Sequence, residues 1–260
     1  MSKLQNWADN EKRLDILRRT SKEVRTYRTQ KRVLGAALGG LAVLTTLLFI
    51  AAALYNVRGS FSVGVDKVDI TKYGLSLSES RDMLYSSSRL NANIDERITN
   101  ISRNDLPDNL DMIDGKHNGE NYIAYTFYLQ NQGEVAVDYD YEMTISNVTL
   151  GLDEAMRVRL YINGECTEYA KTRNDGTGPE PYTKEFYSLG VVTKGIIRDF
   201  KPLDQTKFTV VVWLEGDDPE CVDRVIDGLA KLEMNFKVIG ESETDDLSGN
   251  PGGTESGEGA

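Results

Sequence analysis

Two groups of carboxylates, two cysteines and one histidine are the side chains of this chain with the widest chemical reach. Glu215, Asp217, Asp218, Glu220 and Asp223 crowd one short stretch, and Asp105, Asp108, Asp111 and Asp114 recur at every third residue. Oxygen-rich loops of this kind are the raw material of calcium sites. Neither stretch has the ligand spacing and central glycine of an EF-hand loop. The first therefore stands as a candidate calcium loop of irregular type, against the ordinary reading of solvated loop carboxylates. No cofactor is expected.

Cys166 and Cys221 are the only cysteines, and a bridge between them closes a loop of 55 residues (221 − 166). In the chain-entropy view such a bridge adds about 4 kcal/mol. The alternative is a pair of buried free thiols. His117 is the only histidine, so a His-Glu-x-x-His zinc site cannot be assembled. The Gly-x-Ser-x-Gly elbow of a serine hydrolase is also missing. The residues assemble no catalytic set, and the expectation is a protein that is not an enzyme.

The elements that must position these residues divide sharply. Residues 33–55 carry no charge, and 23 residues of helix at about 1.5 Å each reach roughly 34 Å, enough for a hydrocarbon core. Ahead of this run, residues 1–32 hold ten Lys and Arg against four Asp and Glu, a net +6. The remainder of the chain carries −17, the two summing to −11. Basic residues flanking a span stay in the cytoplasm. The orientation expected is head inside, acidic portion outside, with the span kept as a signal-anchor. Ala51-Ala52-Ala53 offers a cleavage alternative near Ala53 that would release a secreted protein. Leu4, Trp7, Leu14, Leu17 and Val24 suggest a basic amphipathic helix in the head, against a plain topogenic flank.

Beyond the span lies the expected outer domain, residues 56–239, which reads as strands from Phe61 to Ile239. Ile123, Tyr125, Phe127 and Leu129 alternate with smaller or polar neighbours, as do Val137, Tyr139, Tyr141, Met143 and Ile145. Asn131-Gln132-Gly133-Glu134 between them predicts a hairpin. Asn163-Gly164 predicts a second, tighter hairpin, because both turn positions require φ > 0. Phe208–Trp213 suits a central strand, and Leu232, Met234, Phe236 and Val238 a final one. One short helix is predicted where Asp218-Pro219 can start it. Residues 240–260 are Gly-, Ser- and acid-rich, the composition of a disordered tail. The fold class expected is mainly β: an antiparallel jelly-roll-like β-sandwich preceded by a single transmembrane helix.

Asn131-Gln132-Gly133 with Val137-Asp138-Tyr139, Leu160-Tyr161-Ile162-Asn163-Gly164, and above all Val211–Cys221 (Val-Val-Trp-Leu-Glu-Gly-Asp-Asp-Pro-Glu-Cys) resemble the camelysin and TasA family. These are exported β-sandwich proteins of Gram-positive bacteria. The resemblance covers residues 61–239 and implies a jelly-roll sandwich, export, and a place in surface or biofilm-matrix fibres. The long basic head departs from the family's short signal region.

The function expected is a membrane-anchored extracellular structural or interaction module. Its partners would be the membrane, other copies through edge strands, and matrix or surface proteins. Residues 57–70 are the natural donor strand if cleavage frees them. The acidic outer portion argues against nucleic acid. Two alternatives stand beside it: a transmembrane signalling protein with an outer sensor, and a camelysin-like secreted hydrolase.

Overall fold

The computed structural model describes residues 2–56, 59–93, 98–225 and 228–242; before Arg25 the only side chains it describes are those of Glu11 and Arg13. The amphipathic pattern of the head and the tail beyond Ser242 thus lie outside the described parts. The chain forms two units, Met1–Val57 and Arg58–Ala260.

The first unit is one helix, α1 (Ser2–Asn56), in which head and span are continuous. Its stretch Thr29–Ala52 is 24 residues long with mean hydropathy 2.3, and none of it is buried by protein. Leu38, Leu41, Leu48 and Phe49 all face outward. A helix apolar on every face cannot satisfy itself in water. Thr45 and Thr46 turn their hydroxyls back to the Ala42 carbonyl at 2.9 and 2.8 Å, so both are met within the helix.

The second unit is mainly β. Its strands are β1 (Ser60–Val65), β2 (Leu75–Ser78), β3 (Arg89–Asn93), β4 (Asn100–Ile101), β5 (Gly115–Lys116), β6 (Tyr122–Asn131) and β7 (Val137–Ser146). After these come β8 (Met156–Ile162), β9 (Glu165–Ala170), β10 (Lys184–Glu185), β11 (Val191–Phe200), β12 (Gln205–Glu215) and β13 (Lys231–Glu241). One sheet runs β11-β7-β13-β1-β3; the other runs β10-β9-β8-β12-β6-β2, with β4 on β12 and β5 on β6.

Their facing sides share one core. Phe127 of the larger sheet meets Phe236 of the smaller at 6.1 Å, and Phe61 meets Tyr125 at 5.9 Å. Such edge-on contacts suit the ring quadrupole and add to area burial. The arrangement is a sandwich, but its sheets are mixed rather than antiparallel throughout. β1 lies parallel to β13, β9 to β10, and β4 to β12. Parallel neighbours need a long connection, and β1 and β13 have most of the unit between them.

The hairpin expected at residues 131–134 does not form. β6 pairs with β12, β2 and β5, while β7 pairs with β11 and β13, so the turn crosses from one sheet to the other. Asn131 makes that corner. Its buried amide donates to the carbonyls of Val135 and Phe200 at 2.9 and 2.8 Å, and its Oδ1 accepts from Gly133 N–H at 2.9 Å. A Cβ on Gly133 would stand 2.2 Å from the Tyr73 carbonyl, so only glycine allows the two segments to meet.

The Asn163-Gly164 hairpin is present, with φ of 51° and 91° and Ile162 opposite Glu165. β12 is central, flanked by β8 and β6. The short helix expected after Asp218-Pro219 shrinks to a 3-10 turn at Asp223–Val225. A better-formed helix, α2 (Lys67–Tyr73), occupies a segment read as strand. Asp66 caps its first turn by accepting from Val68 N–H at 2.9 Å, and Gly74 ends it in the left-handed region at φ 69°. The final strand runs through Glu241, past the expected limit at residue 239.

Candidate functional site

The outer face of the larger sheet is where the charged residues gather. Alternation puts Arg157 and Arg159 of β8 on that face, and the Asn163-Gly164 turn sets Arg159 directly opposite Glu168 on β9. Across the other edge of β8, Trp213 of β12 lies opposite Arg157. Two covers fold over this face. Residues 102–118 form a strap whose Leu106 and Leu110 bury against Ala124, Val211 and Trp213. The loop 172–183 and the turn 216–221 cover the opposite side.

Between the covers opens a cleft of about 540 Å³. Its floor is a chain of ion pairs. Arg157, with only 4% of its side chain exposed, bonds the buried carboxylate of Asp218 and lies 3.2 Å from Glu180. Glu168 accepts from Arg159 Nε at 2.8 Å and Arg103 Nε at 2.6 Å. Glu215 accepts from Trp213 Nε1 at 3.0 Å and from the backbone N–H of Arg103 at 3.1 Å, which pins the strap to β12. No buried side-chain nitrogen or oxygen among the described residues lacks a partner.

Above the floor the groups are freer. Asp217 accepts from Ser102 Oγ at 2.8 Å. Glu220 holds its proton more tightly than an ordinary glutamate: its carboxyl hydrogen-bonds that of Asp218, it is partly desolvated, and the Asp218 charge opposes its ionisation. Tyr182 stands at the mouth with 82% exposure and φ 65°, and the Arg103 guanidinium sits 5.1 Å from its ring centre.

Of the five carboxylates in the predicted calcium loop, the structure brings Asp218 and Glu220 together and adds Glu180, their oxygens within 4.8 Å of one another. Glu215 is turned to Trp213 and the strap, Asp217 to Ser102, and Asp223 opens the 3-10 turn. Arg157 already supplies a positive charge to the converging group. The second acidic run is dispersed along the strap. Asp111 accepts from Thr209 at 2.8 Å and pairs with Lys207 at 2.8 Å, while Asp114 accepts from Tyr128 at 2.6 Å. His117 is part of the strap too, its ring nitrogens 2.8 and 2.9 Å from the carbonyls of Gly115 and Leu110.

The predicted disulfide is absent: both thiols are free. Cys166 lies on β9 opposite Tyr161, where burial pushes its thiol upward in pKa. Cys221 packs against the main core beyond the 216–221 turn, its sulfur 3.5 Å from the Asn100 amide. The returning hairpin strand carries Cys166 onto the outer face, away from the core contact that Cys221 makes.

Arg157, Arg159, Glu168 and Glu180 were missed in the sequence. The first three were accessible, since counting back from Asn163-Gly164 pairs Arg159 with Glu168 and leaves two arginines on one strand face. Glu180 sits in a loop whose docking no local pattern announces.

No protein-family model and no curated protein matches this chain. Among solved structures it is similar to a β-glucosidase from Kluyveromyces marxianus, at 11% identity and TM-score 0.23, over 62% of this chain and 17% of that one. An α-xylosidase of family GH31 from Xanthomonas citri matches at 10% identity and TM-score 0.20, over 62% and 16%. The N-terminal domain of PorA matches at 7% identity and TM-score 0.20, over 63% and 96%. The chain thus spans about a sixth of either glycosidase, and likenesses this slight carry no argument.

Proposed function

We propose that this protein is a membrane-anchored surface module, with α1 crossing the membrane and the β unit displayed outside as a binding and self-associating domain. The observation that carries the proposal is the Thr29–Ala52 stretch, unburied along its length and uncharged from Val33 onward, behind a strongly basic flank. Positive residues retain the head in the cytoplasm, which puts the acidic unit on the far side. The resemblance to exported sandwich proteins supports the same placement.

Self-association would use sheet edges. Of the two edges of the smaller sheet, β11 is long but guarded: Lys194 and Arg198 lie on it and its register shifts twice. β3, with five residues, is the more open edge. Residues 57–70 are less available as a donor than the sequence suggests, because β1 is already seated between β13 and β3. The role is binding rather than catalysis, in keeping with a cleft floor whose carboxylates are engaged by arginines or backbone.

Protease applied to intact cells expressing the full chain, with one epitope before Leu4 and one after Glu241, tests the placement. The rear epitope is expected to be lost and the front one kept; the reverse pattern would sink the proposal. Amino-terminal sequencing of the recovered protein distinguishes an anchored chain, starting at Met1 or Ser2, from one released at Leu54. Sedimentation of the full chain in detergent checks association: assemblies are expected, and a strict monomer at high concentration would remove the self-associating part.

A further inference from the structure

We infer that the cleft over the outer face of the larger sheet is a binding site for a neutral saccharide. This goes beyond surface display and holds whether the chain stays anchored or is released. The lining disfavours anions and long aliphatic ligands on chemical grounds. Seven carboxylates and three guanidiniums border the cleft, an excess of negative charge that repels phosphates and other anions. Pro181 and Pro219 are the only aliphatic side chains among its lining residues, and its other apolar surface is aromatic, so a lipid chain finds little to bury against.

A sugar presents both hydroxyl pairs and a patch of C–H surface, and the rim supplies a counterpart to each. Asn104 and Asp217 offer planar groups that can meet neighbouring hydroxyls, Asp217 with the oxygen not taken by Ser102, while Arg173 is already held by Glu180 and Thr177. The Tyr182 ring is 82% exposed, with the Arg103 guanidinium against it at 5.1 Å. Tyr182 is held in the left-handed region at φ 65°, a conformation that costs a non-glycine residue energy and keeps the ring at the mouth. The floor is set before any ligand arrives, because the ion pairs of Arg157 and Glu168 leave no buried polar group unmet among the described residues. The volume, about 540 Å³, falls in the usual range for small-ligand sites.

The test uses the full chain in lipid nanodiscs, free of glycoside detergents. It is titrated by calorimetry with neutral hexasaccharides of glucose, xylose, mannose, galactose and N-acetylglucosamine. At least one is expected to bind. Tyr182→Ala should weaken that binding about tenfold, the size of one ring contact, and Asn104→Ala should weaken it less. Both positions are exposed, so both variants are expected to unfold at the temperature of the parent. Three results overturn the inference: no binding by any of the five sugars, binding indifferent to both substitutions, or a preference for spermine or hexalysine over every saccharide. The last would mark the cleft as a cation site.

Discussion

The two acidic stretches of this protein carry comparable charge and reach opposite ends. Asp105–Asp114 becomes a strap, tied down one carboxylate at a time by neutral hydroxyls and a single lysine. Asp218 enters a buried network around Arg157 that also draws in Glu180 from a distant loop, with the half-buried Glu220 set against Asp218. What separates them is the strand beneath. Where β8 presents arginines, carboxylates sink and pair; where β6 and β12 present Tyr128 and Thr209, they remain as hydrogen-bonding ties. Charge count in the chain says nothing of this, because burial of an ion depends on the partner it meets.

The largest effect should come from the network. Arg157→Met removes the buried cation shared by Asp218 and Glu180, leaving Glu180 only its longer pair with Arg173, and is expected to cost about 3–5 kcal/mol, read by chemical denaturation of the full chain. A loss below about 1 kcal/mol would erase the distinction between the two stretches. On the strap, Asp111→Ala deletes ties to Thr209 and Lys207 that are only partly buried, and about 1–2 kcal/mol is expected.

His117→Ala comes next. Carbonyl oxygens only accept, so a neutral ring serves one of its two partners at a time, and loss of about 1 kcal/mol is expected by the same measurement. The smallest effect is in pH. Glu220 binds its proton more tightly folded than unfolded, so it supports the fold in acid and opposes it as pH rises through its raised value. Glu220→Gln should therefore flatten that decline. Unfolding curves of parent and variant should coincide in acid and separate towards neutral pH, with the variant the more stable.

How far the chain could be read depended on whether the decisive contact was local. Asn163-Gly164 is a hairpin for reasons contained in two residues, and it proved one. Asn131-Gln132-Gly133 is an equally clear turn, but a turn does not say which sheet receives the next strand. That was settled by the Phe200 carbonyl, which reaches the Asn131 amide from far along the chain. Period-two alternation placed Ile123, Tyr125, Phe127 and Leu129 inward correctly. It could not show that Ala124 and Thr126 are buried as well, since the strap that covers them comes from earlier in sequence. α2 was legible in principle, with Asp66 at its start and Gly74 at its end, but its apolar spacing was masked by the strands on either side. The cleft was half legible: its acids were noticed, and its arginines and Glu180 were not.

The parallel seating of β1 beside β13 has a mechanical consequence. The chain enters β1 at Ser60 and leaves β13 at Glu241, with six residue pairs from Ser60↔Lys231 to Val65↔Phe236 laddered between them. Tension applied between Ser60 and Glu241 drags these two strands in opposite directions along their length. The rungs then share the load at once instead of parting singly, so the β unit resists being pulled open from its two ends.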